Sequence, residues 1–403
     1  MSKAQTLRPT QFKISQNKGN GMGRVAKNSR SSGRSLLAAA TLVAGACAVG
    51  QAHAGATIKI DDEKSVSVGF GLRESYTSAE DGAPGGGKRS SDFNLDSGRL
   101  YFGATLNKNI KGMFNTEWDG DKIRVLDAAG QFAISPEFNI WAGRLLSPSD
   151  RANMAGPYYS LGGGYWAGVA SRYGYNGGIF RGRDEGVVVW GNVADGKLGY
   201  SFGAFEGHTL GIGTLTQSQA NAAGVKADDA LMYAGRLQYD FWDAEPGYYG
   251  TGNYLGNADI LSIGVAGRYQ KDGILTVART GKYSSYNVDF LMEKRFKGSG
   301  AVAIEAAYYD YDTDNIVLAE QGKAYSAGAS YIFEQKAGWG KLQPFARYQK
   351  FSADTNIDTK QVDAGVNYII DGYNAQVSAV YSKTKITRAG DTDKFAVTLQ
   401  LQY

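Results

Sequence analysis

The sequence predicts an all-β fold, a transmembrane antiparallel β-barrel of sixteen strands with its third external loop folded into the lumen. Three observations predict it. The chain ends on a period-two strand in which Phe395, Val397, Leu399, Leu401 and Tyr403 alternate with Ala396, Thr398, Gln400 and Gln402. The stretches between candidate strands are alternately long and short, as expected when both termini lie on one side of a membrane. Finally, Arg144 to Arg183 has neither strand nor helix period, and it holds Gly162-Gly163-Gly164, Gly177-Gly178, Pro148 and Pro157. That run carries Arg144, Arg151, Arg172, Arg181 and Arg183 against the single Asp150. A structureless loop of this length is uncommon in a compact domain and is usually functional. The plain alternative is an outer loop whose arginines are merely solvated.

Residues 1–54 read as an export signal. They carry eight basic residues and no acid, then an apolar run from Leu36 to Val49 and the small-residue pattern Ala52-His53-Ala54. The run is too short to span a bilayer and matches a signal-peptide core, which places the mature start at Gly55. Met22 opens a leader of more ordinary length than Met1. A lipoprotein reading through Ala44-Gly45-Ala46-Cys47 lacks the larger aliphatic residue expected three before the cysteine. Cutting after Ala54 removes the only cysteine, so residues 55–403 have no thiol, disulfide or Cys-ligated metal.

The leader also explains the apparent basicity of the chain. Without its eight basic residues, 35 of the 43 remain against 39 acids, so the mature domain is mildly acidic and the arginine-rich run is a local feature. Hydrophobic content is 43%, and no apolar run reaches the length of a membrane helix. Barrel strands look like this because apolar lipid-facing residues alternate with polar lumen-facing ones.

Sixteen candidate strands lie near 65–75, 98–106, 111–118, 123–134, 138–144, 186–192, 197–206, 231–242, 259–269, 283–296, 300–311, 323–333, 341–351, 360–370, 373–383 and 394–403. Each is bounded by Gly, Asp, Asn or Lys clusters. Leu100, Phe102, Ala104, Leu106 and Val362, Ala364, Val366, Tyr368, Ile370 alternate cleanly. Asp243 to Ala258 is too long for a turn on the short side. An aromatic residue at the end of the last strand suits an interfacial girdle and resembles the terminal assembly signal of outer-membrane proteins.

Trp141-Ala142-Gly143-Arg144 leading to Pro148, Tyr233-Ala234-Gly235-Arg236, Pro344-Phe345-Ala346-Arg347-Tyr348 and Gly365-Val366-Asn367-Tyr368 resemble landmarks of the phosphate-selective porin O and P family. The resemblance implies a homotrimeric, sixteen-stranded channel in the outer membrane of a Gram-negative bacterium, with wall and third-loop arginines and lysines selecting small anionic solutes. It implies that Arg144, Arg236 and Arg347 are wall residues of this kind. The third loop has no lysine, a departure from the pattern that leaves general anion preference rather than phosphate selectivity.

The residues themselves permit this chemistry. Arg236, Arg268 and Arg347 each fall in a strand on the face opposite its lipid-like neighbours, such as Leu237, Val265 and Tyr348. A lipid-facing arginine near the midplane costs roughly 2–4 kcal/mol, so these should face the lumen. Guanidinium stays protonated and grips carboxylate or phosphate through paired hydrogen bonds, and rings of it set selectivity in anion pores. The competing role is pairing with lumen acids such as Glu117, Asp127, Asp289, Glu293 or Glu305. The aromatic residues Tyr158-Tyr159, Trp166, Trp190, Trp242 and Tyr248-Tyr249 read as sugar-stacking platforms or as girdle. Gly82 to Lys88 is nearly a phosphate-binding loop, but Arg89 replaces the required Ser/Thr and no helix pattern follows, so it reads as an external loop.

Catalysis has no support, because His208 is the only mature histidine and a Ser–His dyad needs a third orienting group. The sequence calls for no cofactor and no nucleic-acid partner. A second reading, from another class, is a scaffold barrel that sheathes a partner protein. The leader makes a prediction: mass mapping of the membrane-extracted protein should find Gly55 as its first residue, and recovery of peptides from residues 36–54 would overturn the cleavage site.

Overall fold

The computed structural model describes residues 55–403 apart from 119, 121, 162–167, 174–181, 208–209, 212–218 and 220–221. Sixteen long strands form one closed antiparallel sheet. They are β1 (Ser65–Ala79), β2 (Asp92–Thr105), β3 (Ile110–Trp118), β4 (Ile123–Ser135), β5 (Phe138–Leu146), β6 (Arg183–Val193), β7 (Leu198–Phe205) and β8 (Met232–Asp240). The second half comprises β9 (Ile260–Leu275), β10 (Thr280–Phe296), β11 (Gly300–Asp312), β12 (Gly322–Phe333), β13 (Gly340–Ala353), β14 (Asp358–Asp371), β15 (Ala375–Ile386) and β16 (Gly390–Gln402). Each pairs with the next, and β16 pairs with β1 from Lys394↔Ala79 to Gln402↔Gly71, which closes the ring. Closure leaves no open edge, the condition for a sheet to sit in lipid.

The polarity of this ring is inverted relative to a soluble core. Leu100, Phe102, Leu237, Ile263, Val265 and Val362 are exposed on the outer wall, whereas Arg73, Asn115, Asn287, Gln343 and Gln400 are buried inside. Period-two alternation produces both faces at once: Leu237 is outward and Arg236 inward, and Val265 is outward where Arg268 is inward. Apolar side chains outside and polar ones inside is the arrangement a bilayer selects.

Every expected strand exists, but several run further than their alternation. β1 continues to Ala79, β9 to Leu275 and β10 begins at Thr280, so the expected long connections at 76–97, 270–282 and 384–393 shrink to hairpin tips. These extensions carry no clean alternation, yet their backbones pair, as in Ile274↔Gly281 and Lys385↔Asp391. Gly82 to Lys88 lies in the first such tip and leads into a strand, not a helix. The long turn after β8 has a different explanation: Glu245, Tyr248, Thr251, Asn253 and Leu255 are buried, so the segment 241–259 folds back into the barrel.

The short strand Gly55–Lys59 pairs with β1 from Gly55↔Gly69 to Lys59↔Ser65, directly beyond the point where Tyr403 exchanges hydrogen bonds with Phe70 (2.7 and 2.9 Å). Tyr403 also lies against the Phe70 ring, with centroids 6.3 Å apart. It is thus the last rung of the seam. Deleting Tyr403 should lower the yield of heat-modifiable barrel on cold gel electrophoresis, and normal yield would show that the seam closes without it.

Candidate functional site

The chain leaves β5 at Leu146 and its described residues to Leu161, then 168–173, run inside the wall. Asp150 caps the one-turn helix α1 (Arg151–Ala155), accepting from the Asn153 amide, and is itself held by Tyr309 Oη (2.9 Å) and Ser171 Oγ (3.1 Å). Arg151, only 4% exposed, donates to both oxygens of Glu245 (2.7 Å each), to the Thr251 carbonyl (3.0 Å) and to Ser262. Its backbone amide donates to Asp289. The forked guanidinium matches a carboxylate geometrically, which is what arginine offers and lysine does not.

The other arginines named from the sequence have partners of their own. Arg236 makes a bidentate pair with Asp289 (2.6 and 2.8 Å) and donates to the Ser149 carbonyl. Arg268 donates to the carbonyls of Ser147 and Pro148 and lies 4.1 Å over the Tyr173 ring. Arg347 pairs with Asp363 (3.1 Å), Arg183 with Asp127 (2.8 Å), and Arg172 with Glu320 while stacking on Phe351. Arg144 pairs with Glu185 (2.7 Å) and is the most exposed of the set. Arg181, Trp166 and His208 lie outside the described residues. Arg151, Arg236 and Arg268 therefore clamp the loop to β8, β9 and β10, and are not presented free to a solute. Buried charges need such partners, since an uncompensated ion in a low-dielectric interior costs several kcal/mol.

The turn 241–259 meets this loop from the other end of the barrel. The Gly252 amide donates to the Tyr159 carbonyl (2.8 Å), and Tyr373 Oη reaches the Asn253 carbonyl (2.7 Å). Trp141, Trp190, Tyr248 and Tyr249 pack ring to ring about it at 4.9–5.9 Å. Trp190, Tyr248 and Tyr249 thus form an internal cluster, neither girdle nor stacking platform, because the turn that carries two of them comes inside. Burial pushes Glu245 up, but the charge and hydrogen bonds of Arg151 more than offset this and hold the carboxyl below its ordinary range.

The remaining lumen lies along β16, β1, β2 and β3. A cavity of about 630 Å³ is lined by Ser75, Asp96, Trp118, Lys394 and Thr398, and one of about 280 Å³ by Ser67, Gly69, Tyr101, Lys111 and Asn115. Between them on β1 stand Arg73 and Gly71. A side chain at position 71 would strike Tyr101 Oη and the Tyr158 ring at 3.1–3.2 Å, so glycine lets the loop tip reach the wall here. Tyr158 lies under two guanidinium groups, 5.3 Å from Arg73 and 4.6 Å from Arg99. Arg99 is neutralised by Glu117 at 2.8 Å. Arg73 is 4% exposed, and its Nε and Nη1 have no acceptor among the described residues. Sequence reading passed over Arg73 and Arg99, although each sits at period two from an inward neighbour, Ser75 and Ser97.

These contacts predict the behaviour of Arg151→Met. Leaving Glu245 buried without its cation should destabilise the native barrel by about 3–5 kcal/mol, and Arg151→Met with Glu245→Gln should recover much of that loss. Urea unfolding in detergent checks both; equal midpoints for wild type and the single variant would show that the clamp contributes nothing.

Residues 315–403 match the family model described as phosphate-selective porin O and P. No curated protein sequence matches. Among solved structures, the chain is similar to an anion-selective porin from Comamonas acidovorans (14% identity, 85% of this chain and 100% of that one, TM-score 0.54). It is also similar to OmpF of Salmonella typhi in complex with daunomycin (13%, 86% and 100%, TM-score 0.55) and to a loop-deletion mutant of OmpT from Vibrio cholerae (16%, 85% and 100%, TM-score 0.54). At these identities the likeness concerns the fold. The sixteen-stranded closed ring with its inverted polarity gives this chain the architecture of an outer-membrane porin, and its residues 315–403 match the family model of phosphate-selective porin O and P.

Proposed function

We propose that the protein is a passive, water-filled channel that prefers small anions, and that solutes pass along β16, β1, β2 and β3. The observation that carries this reading is Arg73, a buried guanidinium with no ion partner among the described residues, standing between two cavities of the lumen. An unpaired charge in a narrow passage concentrates counter-ions there. The phosphate-selective family matched at residues 315–403 and the anion selectivity of the Comamonas porin support an anion over a cation. The third loop has no lysine, which favours general anion preference over phosphate selectivity. The homotrimer expected from the family resemblance belongs to the same proposal.

The arginines read from the sequence divide on this view. Strand register puts Arg144 on the outer face of the wall, beside Ala128 and paired with the exposed Glu185, so it does not line the path, and Arg183 is matched by Asp127. Arg151, Arg172, Arg236 and Arg268 act indirectly, by holding the loop that narrows the passage, while Arg347 is matched by Asp363 on the neighbouring wall strand. The sheath reading is disfavoured because two segments of the chain itself, 147–161 and 241–259, fill the middle of the barrel. Nothing in the site argues for catalysis.

The reading predicts that Arg73→Ala shifts the zero-current potential across a salt gradient toward cations. The shift should be largest in dilute KCl and small near 1 M, where the screening length falls to roughly 3 Å. An unchanged potential in dilute salt would refute the assignment of anion preference to this passage.

A further inference from the structure

We propose, resting on the anion-channel reading, that the lumen wall around Arg73 is a binding site for a small monoanionic hydroxycarboxylate. Strand register places Gln376 of β15, Gln400 of β16 and Arg73 of β1 side by side, through the pairs Gln376↔Gln400 and Gln400↔Arg73. All three are buried, and each has a polar atom with no partner among the described residues: Nε2 of Gln376, Oε1 of Gln400, and Nε and Nη1 of Arg73. Buried polar atoms are nearly always satisfied in native proteins. Three neighbours in one row with open valences form a template for a ligand.

The chemistry of that ligand follows from what is left open. Gln400 Nε2 donates to the carbonyls of Tyr158 (3.1 Å) and Tyr373 (2.8 Å), which fixes the amide and makes its open atom an acceptor. Arg73 and Gln376 offer donors. The row therefore asks for an acceptor-rich anionic group next to a donor, which a carboxylate bearing a hydroxyl supplies in one molecule. Charge limits the ligand to a monoanion. Arg99, the neighbouring cation, is already matched by Glu117 at 2.8 Å, and on the other side Asp96 accepts from Ser75 at 3.0 Å, which repels a second negative charge. Chloride satisfies the charge and leaves Gln400 open, whereas a phosphate dianion overloads a single guanidinium.

The test uses purified full-length channels in planar bilayers at pH 8, where inorganic phosphate is mainly the dianion, with lactate, propionate and inorganic phosphate each added to KCl and binding read as concentration-dependent reduction of single-channel current. Lactate should bind about fivefold more tightly than propionate, the worth of one net hydrogen bond, and more tightly than phosphate. Gln400→Leu should erase the lactate–propionate difference, and Arg73→Gln should abolish block by both acids. Should Gln400→Leu fail to assemble, Gln376→Leu serves in its place and should weaken both acids alike. Equal block by lactate and propionate in the wild type, tighter block by phosphate, or undiminished block in Arg73→Gln would each overturn the site. The KCl reversal potential of Arg73→Ala separates the two levels: if it shifts while lactate and propionate bind alike, the ligand class is wrong and the anion channel stands.

Discussion

The paired contact of Arg151 with Glu245 is the interaction on which the interior of this barrel depends. One partner comes from a loop entering at the outer end and the other from a turn entering at the opposite end, and they meet in the middle with two hydrogen bonds of 2.7 Å. Among the described residues, neither segment has helix or sheet of its own beyond α1 and a 3-10 turn at Pro157–Tyr159, so each needs the other and the polar wall to satisfy its backbone. Asp289 then extends the contact to Arg236, so a single acidic side chain ties the loop to β8 and β10. Pairs buried this deeply contribute little net stability, but losing one member is costly; their value lies in fixing one position for the loop.

That arrangement explains why the lumen is asymmetric. The clamps lie on β8, β9, β10, β13 and β14, where Arg236, Arg268, Asp289, Arg347 and Asp363 are consumed in holding protein to protein. The larger cavities are left on the opposite wall, where Arg73 stands without an ion partner among the described residues while Arg99 is matched by Glu117. Loop placement thus determines which of the lumen arginines border open space.

The fold was legible in the sequence because alternation is a local property: Val362 to Ile370 or Phe395 to Tyr403 declares its own strand without reference to any neighbour. The hairpin extensions were not, since residues such as Thr384 and Lys385 show no apolar alternation and pair only because the membrane-spanning parts have set their register. The site was legible only in part. That Arg236, Arg268 and Arg347 point inward follows from period two, but that Asp363 stands opposite Arg347 depends on hairpin register, and that Asp289 reaches Arg236 depends on two strands separated by a third. The same holds for Arg73, whose isolation is a fact about the absence of partners from β16 and β2, and no single stretch of sequence states it. The overlong turn at Asp243 was visible as an anomaly, and its length turned out to be what lets it reach Tyr159.

The short strand Gly55–Lys59 and the C-terminal strand meet at the seam, with a further consequence. Gly55 occupies the place on β1 next to the one filled by Tyr403, and Gly55–Lys59 runs in the same direction as β16. The two pieces are one strand interrupted by a missing peptide bond. A circular permutant that joins Tyr403 to Gly55, through a linker of a residue or two, and opens instead at the exposed tip near Gly86 would keep every rung of the ring while moving both ends to the opposite side of the membrane.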